Sequence, residues 1–281
     1  MRISHSASEK YSTCGYSYFL HYYYKLRAVD IKSALVVGGA VDVGLNHLLE
    51  TRNLDESIKK FQQAWDKTAK SGEIIYSKSD IEDHLLDDCD IKKESDRGYY
   101  SWLKKGEILI REYNEQVMPL IKRVVKVQID EVLENDVGDE LVIKTDFICE
   151  WHDGRIILFD NKTSSVKYDK DSVKNSEQLA VYYHALKEEY KIDACGYIVI
   201  PKKVNKQKKP AVKIEVIIDQ VSEETINNTL QKFHNNIESI KLGLFNKNPE
   251  GCKTIFGPCV YYSYCHEGKT DGLKELKYGE K

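Results

Sequence analysis

Residues 141–200 constrain the fold more than any other stretch, because their hydrophobic period changes twice. Leu141 to Glu150 (LVIKTDFICE) and Arg155 to Lys162 (RIILFDNK) are β-branched, apolar runs of strand character. Ser176 to Tyr190 is an amphipathic helical stretch, and Ala194 to Ile200 returns to a continuous apolar strand run. Runs 124–133 and 212–218 add strands before and after, so the expected order is βββαββ, a mixed α/β core.

The turn between the first two runs sets what faces what. Trp151-His152-Asp153-Gly154 contains Asp-Gly, a tight hairpin signal. Side chains two apart on a strand share a face, so Asp160 and Lys162 sit together and Asn161 points away. A two-residue loop would set Asp146 opposite Asn161, on the wrong face. A three-residue loop, His152 to Gly154 with Gly154 at positive φ, pairs Trp151 with Arg155 and Asp146 with Asp160. The three-residue loop is the expected one. It places the two carboxylates roughly 4.5–5.5 Å apart at Cβ, close enough to share a cation. Without one, like charges there would repel and one carboxyl would stay protonated.

The helix then adds Gln178 and Tyr182, one turn apart on one face. Two carboxylates, an ammonium and no histidine suit a hard divalent cation and phosphodiester cleavage. D-x-K alone is a weak signal, since a surface ion pair looks the same, and tyrosine on an amphipathic helix is usually core. The argument lies in the ordered set. Glu131 is expected as a solvated strand-end acid. Lys202, Lys203, Lys206, Lys208 and Lys209, between Pro201 and Pro210, read as a solvated hairpin tip, with phosphate tracking as the alternative.

Helices are expected before and after this core. Ser6-Ala7-Ser8-Glu9 reads as a capping box opening a first helix through Tyr11, Cys14, Tyr18 and Tyr22. Further helices are expected at 34–50, 54–70 and 99–120, with 71–98 unassigned, and 222–244 closes with Ser222 as its cap. The parts are a helical region 1–120, a catalytic core 121–220 and a helix with cysteine tail 221–281, read as one domain. At 281 residues, 41% hydrophobic and 31% charged, the chain can bury a real core. No apolar run approaches a membrane span and the start lacks a signal peptide's apolar stretch, so the cytoplasm is expected. A net charge of −3 does not announce nucleic-acid binding, although a local basic track would suffice.

Seven cysteines in a reducing compartment argue against disulfides. Cys252, Cys259 and Cys265 form C-x6-C-x5-C in a short Gly- and Pro-containing tail too small for its own core, which a metal would hold together. Cys89, Cys149 and Cys195 lack partners at ligand spacing, and the last two read as small core residues.

These residues resemble the PD-(D/E)XK nucleases, and within them the group of RecB nuclease domains, AddB and the CRISPR-adaptation exonucleases. Asp146 looks like the first motif aspartate, Asp160-Asn161-Lys162-Thr163-Ser164 like the D-x-K-T/S strand, and QLAVYYHAL at 178–186 like the Q-x-x-x-Y helix. Residues 3–25 and 34–49 resemble the family's first cysteine-bearing helix and its glycine-led helix. Departures are Gly15 for a proline, Ile143 for a glycine, and Asp42 where relatives often place a metal-associated histidine. His47, five residues on and roughly 140° around the helix, is left out of the site.

The resemblance implies a restriction-endonuclease-like mixed sheet and a metal-dependent DNA nuclease, exonucleolytic rather than sequence-specific. Mg²⁺ or Mn²⁺ would be held by Asp146, Asp160 and the Asn161 backbone carbonyl, with Asp42 as a further oxygen donor. Lys162 would orient water or stabilise the transition state, with Gln178 and Tyr182 beside it. It also implies a [4Fe-4S] cluster on Cys14, Cys252, Cys259 and Cys265. Zn²⁺ on the same four, or unligated cysteines, are the alternatives. DNA is the implied partner, with any recombinase, helicase or integrase a separate chain, since no P-loop is present. A CRISPR-associated exonuclease and a catalytically silent DNA-binding subunit are the rival readings.

Overall fold

The computed structural model describes residues 1–69, 74–86, 91, 93, 96–134, 137–205, 207–254 and 257–276. Cys89 and Lys206 lie outside the described residues. In chain order the main elements are β1 (Arg2–Ser4), α1 (His5–Thr13), α2 (Gly15–Tyr22), α3 (Ser33–Thr51), α4 (Leu54–Ala69), α5 (Arg97–Gln116), β2 (Ile121–Glu134) and β3 (Glu140–Trp151). β4 (Ile156–Ser164), α6 (Glu177–Tyr190), β5 (Ala194–Pro201), β6 (Glu215–Asp219) and α7 (Glu223–Lys241) complete them. The chain forms two compact units: residues 1–30, 131–143 and 227–281, and residues 31–130 and 144–226. No helix among the described residues is long and apolar enough to cross a membrane.

The larger unit is a mixed sheet flanked by helices. β3 and β4 pair antiparallel, β4 and β5 parallel, β5 and β6 antiparallel, and β2 pairs with β3. The β3–β4 register runs Glu150↔Ile156 to Phe147↔Phe159, with the Trp151 N–H donating to Arg155 O at 2.8 Å. This is the register of the three-residue loop. Gly154 at φ 91 supplies the left-handed position that a residue with a side chain would resist. Burying Phe61, Trp65, Phe147 and Phe159, all fully enclosed, contributes on the order of 1.5–3 kcal/mol each.

Of the boundaries that shift from the sequence expectation, two have a clear local reason. α5 stops at Gln116, and Pro119 sits in a 3₁₀ turn, Met118–Leu120, where its missing N–H costs nothing. The last strand begins at Glu215 rather than Val212, because side chains of α5 take the bonds a ladder would supply. Glu112 Oε1 accepts from Ala211 N at 2.6 Å, and Gln116 bonds Val212 O and Ile214 N at 2.7 and 3.1 Å.

In the smaller unit β1 pairs parallel with Glu140, Leu141 and Val142 of β3. The first helix is capped by Ser4, whose Oγ accepts from Ala7 N, not by the expected Ser6 box. It also breaks at Cys14, whose extended backbone (φ −164) separates α1 from α2. Asn236 on α7 ties to α1 through Ser8 and Ser12 at 2.8 and 2.9 Å. Strand Leu273–Glu275 returns antiparallel to Leu26–Ala28.

Candidate active site

The site of the larger unit begins where the β3–β4 ladder ends. Beyond the stacked Phe147 and Phe159 rings, 5.4 Å apart, side chains replace the backbone pairing. Asp146 Oδ2 accepts the Asn161 N–H at 2.6 Å and Thr145 Oγ1 donates to Phe159 O at 3.5 Å. Asp146 therefore sits across from Asp160 with one oxygen bound to backbone.

Asp160 and Lys162, two apart on β4, form an ion pair at 2.7 Å. Gln178, in the first turn of α6, links both. Its Oε1 accepts from Lys162 Nζ at 2.7 Å, while its Nε2 donates to Asp160 Oδ1 and to the Tyr182 hydroxyl, each at 3.0 Å. Ser176 caps α6 through the Leu179 N–H at 3.0 Å and bonds the Tyr197 hydroxyl at 2.6 Å. The Tyr197 ring lies 5.4 Å from Lys162 Nζ. The turn that orients Gln178 is thus fixed by its own cap.

α3 brings a third carboxylate. Gly38 lets the helix close on β4: a Cβ there would stand 2.9 Å from Thr163 Oγ1. One turn on, Asp42 has a buried Oδ1 without a hydrogen-bond partner among the described residues. Lys202, at the end of β5, donates to Ala34 O at 2.5 Å. It is half-buried and acts electrostatically on Asp42, so it does not belong to the solvated tip expected for it; Lys203, Lys208 and Lys209 are exposed.

Electrostatics follow from three acids in one buried place. Burial, then the charge of Asp160, pushes the Asp42 carboxyl up to about 7, against the pull of Lys162 and Lys202. Burial, then Asp160 and Asp42, raises Asp146 well above the carboxylate range, with the Asn161 N–H opposing. Burial would lower Lys162, but the charge and hydrogen bond of Asp160 outweigh it and hold the ammonium above its ordinary value. Burial raises Tyr182 to about 12, so its hydroxyl stays neutral.

Asp42, Asp146, Asp160, Lys162, Gln178 and Tyr182 are thus brought together by hydrogen bonds and charge. The Asn161 side chain points elsewhere and accepts from the buried Tyr113 hydroxyl at 3.2 Å. His47 bonds Ser57 at 3.0 Å on the α3–α4 side. Oxygen donors and an orphaned carboxylate oxygen fit a hard cation in type and charge. Among the described residues no three Cys, His, Asp or Glu side chains are drawn in closely enough to enclose an ion.

The smaller unit holds the cysteines. Cys14, Cys252, Cys259 and Cys265 line one cavity with Lys247 and His266. Asn248 N–H donates to Cys14 Sγ at 3.4 Å, and Cys252 Sγ lies 3.7 Å from His266 Nε2. Burial, then Cys259 and Cys14, raises the Cys252 thiol. Burial also raises Cys265, against the pull of Lys247 and with the other three thiols adding to it. Cys149 and Cys195 are buried strand residues.

A mixed sheet between helices, with a carboxylate–lysine cluster where two strands part, is an arrangement suited to metal-assisted hydrolysis. The profile of the PD-(D/E)XK nuclease superfamily matches residues 2–266, and the chain belongs to that superfamily. Membership implies nuclease activity and the use of divalent metals such as Mg²⁺. No curated protein matches the chain. It is similar to a solved structure described as "Crystal structure of SSO0001", at 14% identity over 87% of this chain and 89% of that one. The TM-score is 0.33, too low to carry an argument.

Proposed function

We propose that the chain is a Mg²⁺- or Mn²⁺-dependent deoxyribonuclease acting as an exonuclease on DNA, a single nuclease domain working in the cytoplasm. The observation that carries the reading is the unpartnered oxygen of Asp42, in a buried cluster of three carboxylates whose charges oppose one another. Ionising all three acids would leave more negative charge than Lys162 and Lys202 offset, and a divalent cation would make up the difference. Asp42, Asp146, Asp160 and the Asn161 carbonyl would hold the ion. When bound, it lowers the pKa of water and offsets phosphate charge.

The chain's own groups do the rest. Lys162, kept charged by Asp160, is aimed by the Gln178 amide and presents its ammonium to the scissile phosphate or the attacking water. Gln178 positions both members of that pair, and Tyr182 fixes Gln178 in turn. End-labelled single- and double-stranded DNA, incubated with and without Mg²⁺, tests the proposal. Cleavage should need the metal and vanish in Asp160→Asn and Lys162→Ala. Unchanged cutting by Lys162→Ala would sink it.

The gathering of four cysteines around one cavity favours the cluster-bearing branch of the superfamily. In that reading Cys14, Cys252, Cys259 and Cys265 hold a [4Fe-4S] cluster with a structural role, and the protein processes ends for recombination or for CRISPR adaptation beside a partner chain. Iron analysis and a visible spectrum of the purified protein decide between iron, zinc and neither.

A further inference from the structure

The segment Tyr16–Tyr24 (YSYFLHYYY) places six aromatic residues, Tyr16, Tyr18, Phe19, Tyr22, Tyr23 and Tyr24, in nine positions. α2 buries Tyr18 and Leu20, which leaves most of its rings at least partly open. Three consecutive tyrosines span its C-terminal end, with Tyr22, Tyr23 and Tyr24 at 39%, 54% and 51% exposure. Single exposed apolar side chains are ordinary, but Tyr23 and Tyr24 are both exposed and both packed on Phe19, which makes a patch.

The patch is built, not loose. Phe245 wedges among the rings, stacked 4.7 Å from Phe19 and 5.3 Å edge-on to Tyr23. Phe19 in turn meets Tyr23 at 5.4 Å and Tyr24 at 5.0 Å. The backbone N–H groups of Tyr23 and Tyr24 both donate to Phe19 O, at 2.9 and 3.2 Å. Rings held this way keep a face toward solvent without losing further freedom on binding. Two cations border the rings: Lys247 lies 5.0 Å over Tyr16, one of its ammonium hydrogens given to Cys265 O at 3.0 Å, and Lys25 follows Tyr24 directly.

We propose that this patch is a stacking platform for single-stranded DNA, with bases lying on Tyr23 and Tyr24 and Lys247 meeting the phosphates. Fixed aromatic faces interleaved with cations suit unpaired bases, because every base has a π-face and every linkage a negative charge. Duplex ends, whose bases are already stacked, gain little there. The inference rests on the nuclease reading only for its choice of DNA, and it names the substrate class as unpaired strands.

The test is fluorescence anisotropy of the full-length protein in EDTA, where nothing is cut, with labelled oligothymidylate, an abasic strand of equal length and a blunt duplex. Tyr23→Ala and Tyr24→Ala should each weaken oligothymidylate binding about tenfold. Abasic and duplex binding should change little, and Tyr23→Phe should retain wild-type affinity. Equal losses on the abasic strand, or no loss on oligothymidylate, would overturn the proposal. So would a change of oligomeric state with strand binding intact, which would make the patch a protein interface. Cleavage is scored separately: a protein that binds as stated but never cuts removes the nuclease reading and leaves the platform. One that cuts normally with no loss on ring removal does the reverse.

Discussion

Replacing Asp42 with Asn should stabilise the metal-free protein, increasingly so as pH rises from the ordinary carboxylate value of 3.8 to about 7, and constantly above that. The side chain keeps its shape but can no longer ionise. In the folded chain its carboxyl is raised from 3.8 to about 7, chiefly by burial and by Asp160. A raised acid binds its proton more tightly folded than unfolded. Its contribution is therefore complete below the unfolded value and is lost as pH rises through about 7. A rise of that size sets a ceiling of about 4 kcal/mol, since each tenfold gain in proton affinity is worth about 1.4 kcal/mol. Relaxation, water entry and the linked titration of Asp146 reduce that to about 2 kcal/mol, or ~5 °C in Tm for a chain of this size. The assay is thermal unfolding in EDTA from about pH 3.5 to about 8.5, wild type beside Asp42→Asn. The curves should coincide in acid and separate by that amount in base, with the variant higher. Added Mn²⁺ should then raise wild type more than the variant, which keeps Asp146, Asp160 and the Asn161 carbonyl. Parallel curves across the range would refute the reasoning, because burial of an ionising Asp42 would then have no energetic consequence.

Lys162→Met should lower the cleavage rate by about 10²–10³-fold with the fold retained, as read by single-turnover kinetics and circular dichroism. Gln178→Ala leaves Asp160 and Lys162 each one bond short, so turnover should fall about tenfold or more while unfolding in denaturant shows a loss of about 1–3 kcal/mol. Cys259→Ser should bleach any visible absorption and lower Tm before it alters the chemistry of the larger unit, followed by absorbance and differential scanning fluorimetry.

What could be read from the sequence was what local rules determine. Trp151 to Arg155 fixed the hairpin register because loop length and a positive-φ glycine leave little choice, and register alone aligned Asp146 with Asp160. Gln178 and Tyr182 followed from helical spacing. Lys202 was grouped with its lysine neighbours because composition cannot show that the end of β5 faces Asp42, a relation that depends on packing of distant elements. Tyr113 and Tyr197 lie in apolar helix and strand runs, where nothing local marks the hydroxyls that tie the core to Asn161 and Ser176. The Ser6 capping box failed for a similar reason. Pairing of β1 with Glu140–Val142 ends at Ser4, so the helix starts there, before the box can act.

The hydrogen bond from the Asn161 amide to Asp146 turns one backbone group into a gauge of the acid opposite. Any ligand or proton that draws charge from that carboxylate must weaken the hold on the amide. Its NMR shift and its rate of deuterium uptake will then register occupancy of the cluster directly, with no substrate in the tube. The parting of the strands therefore gives an observer a way to follow loading of the site separately from turnover.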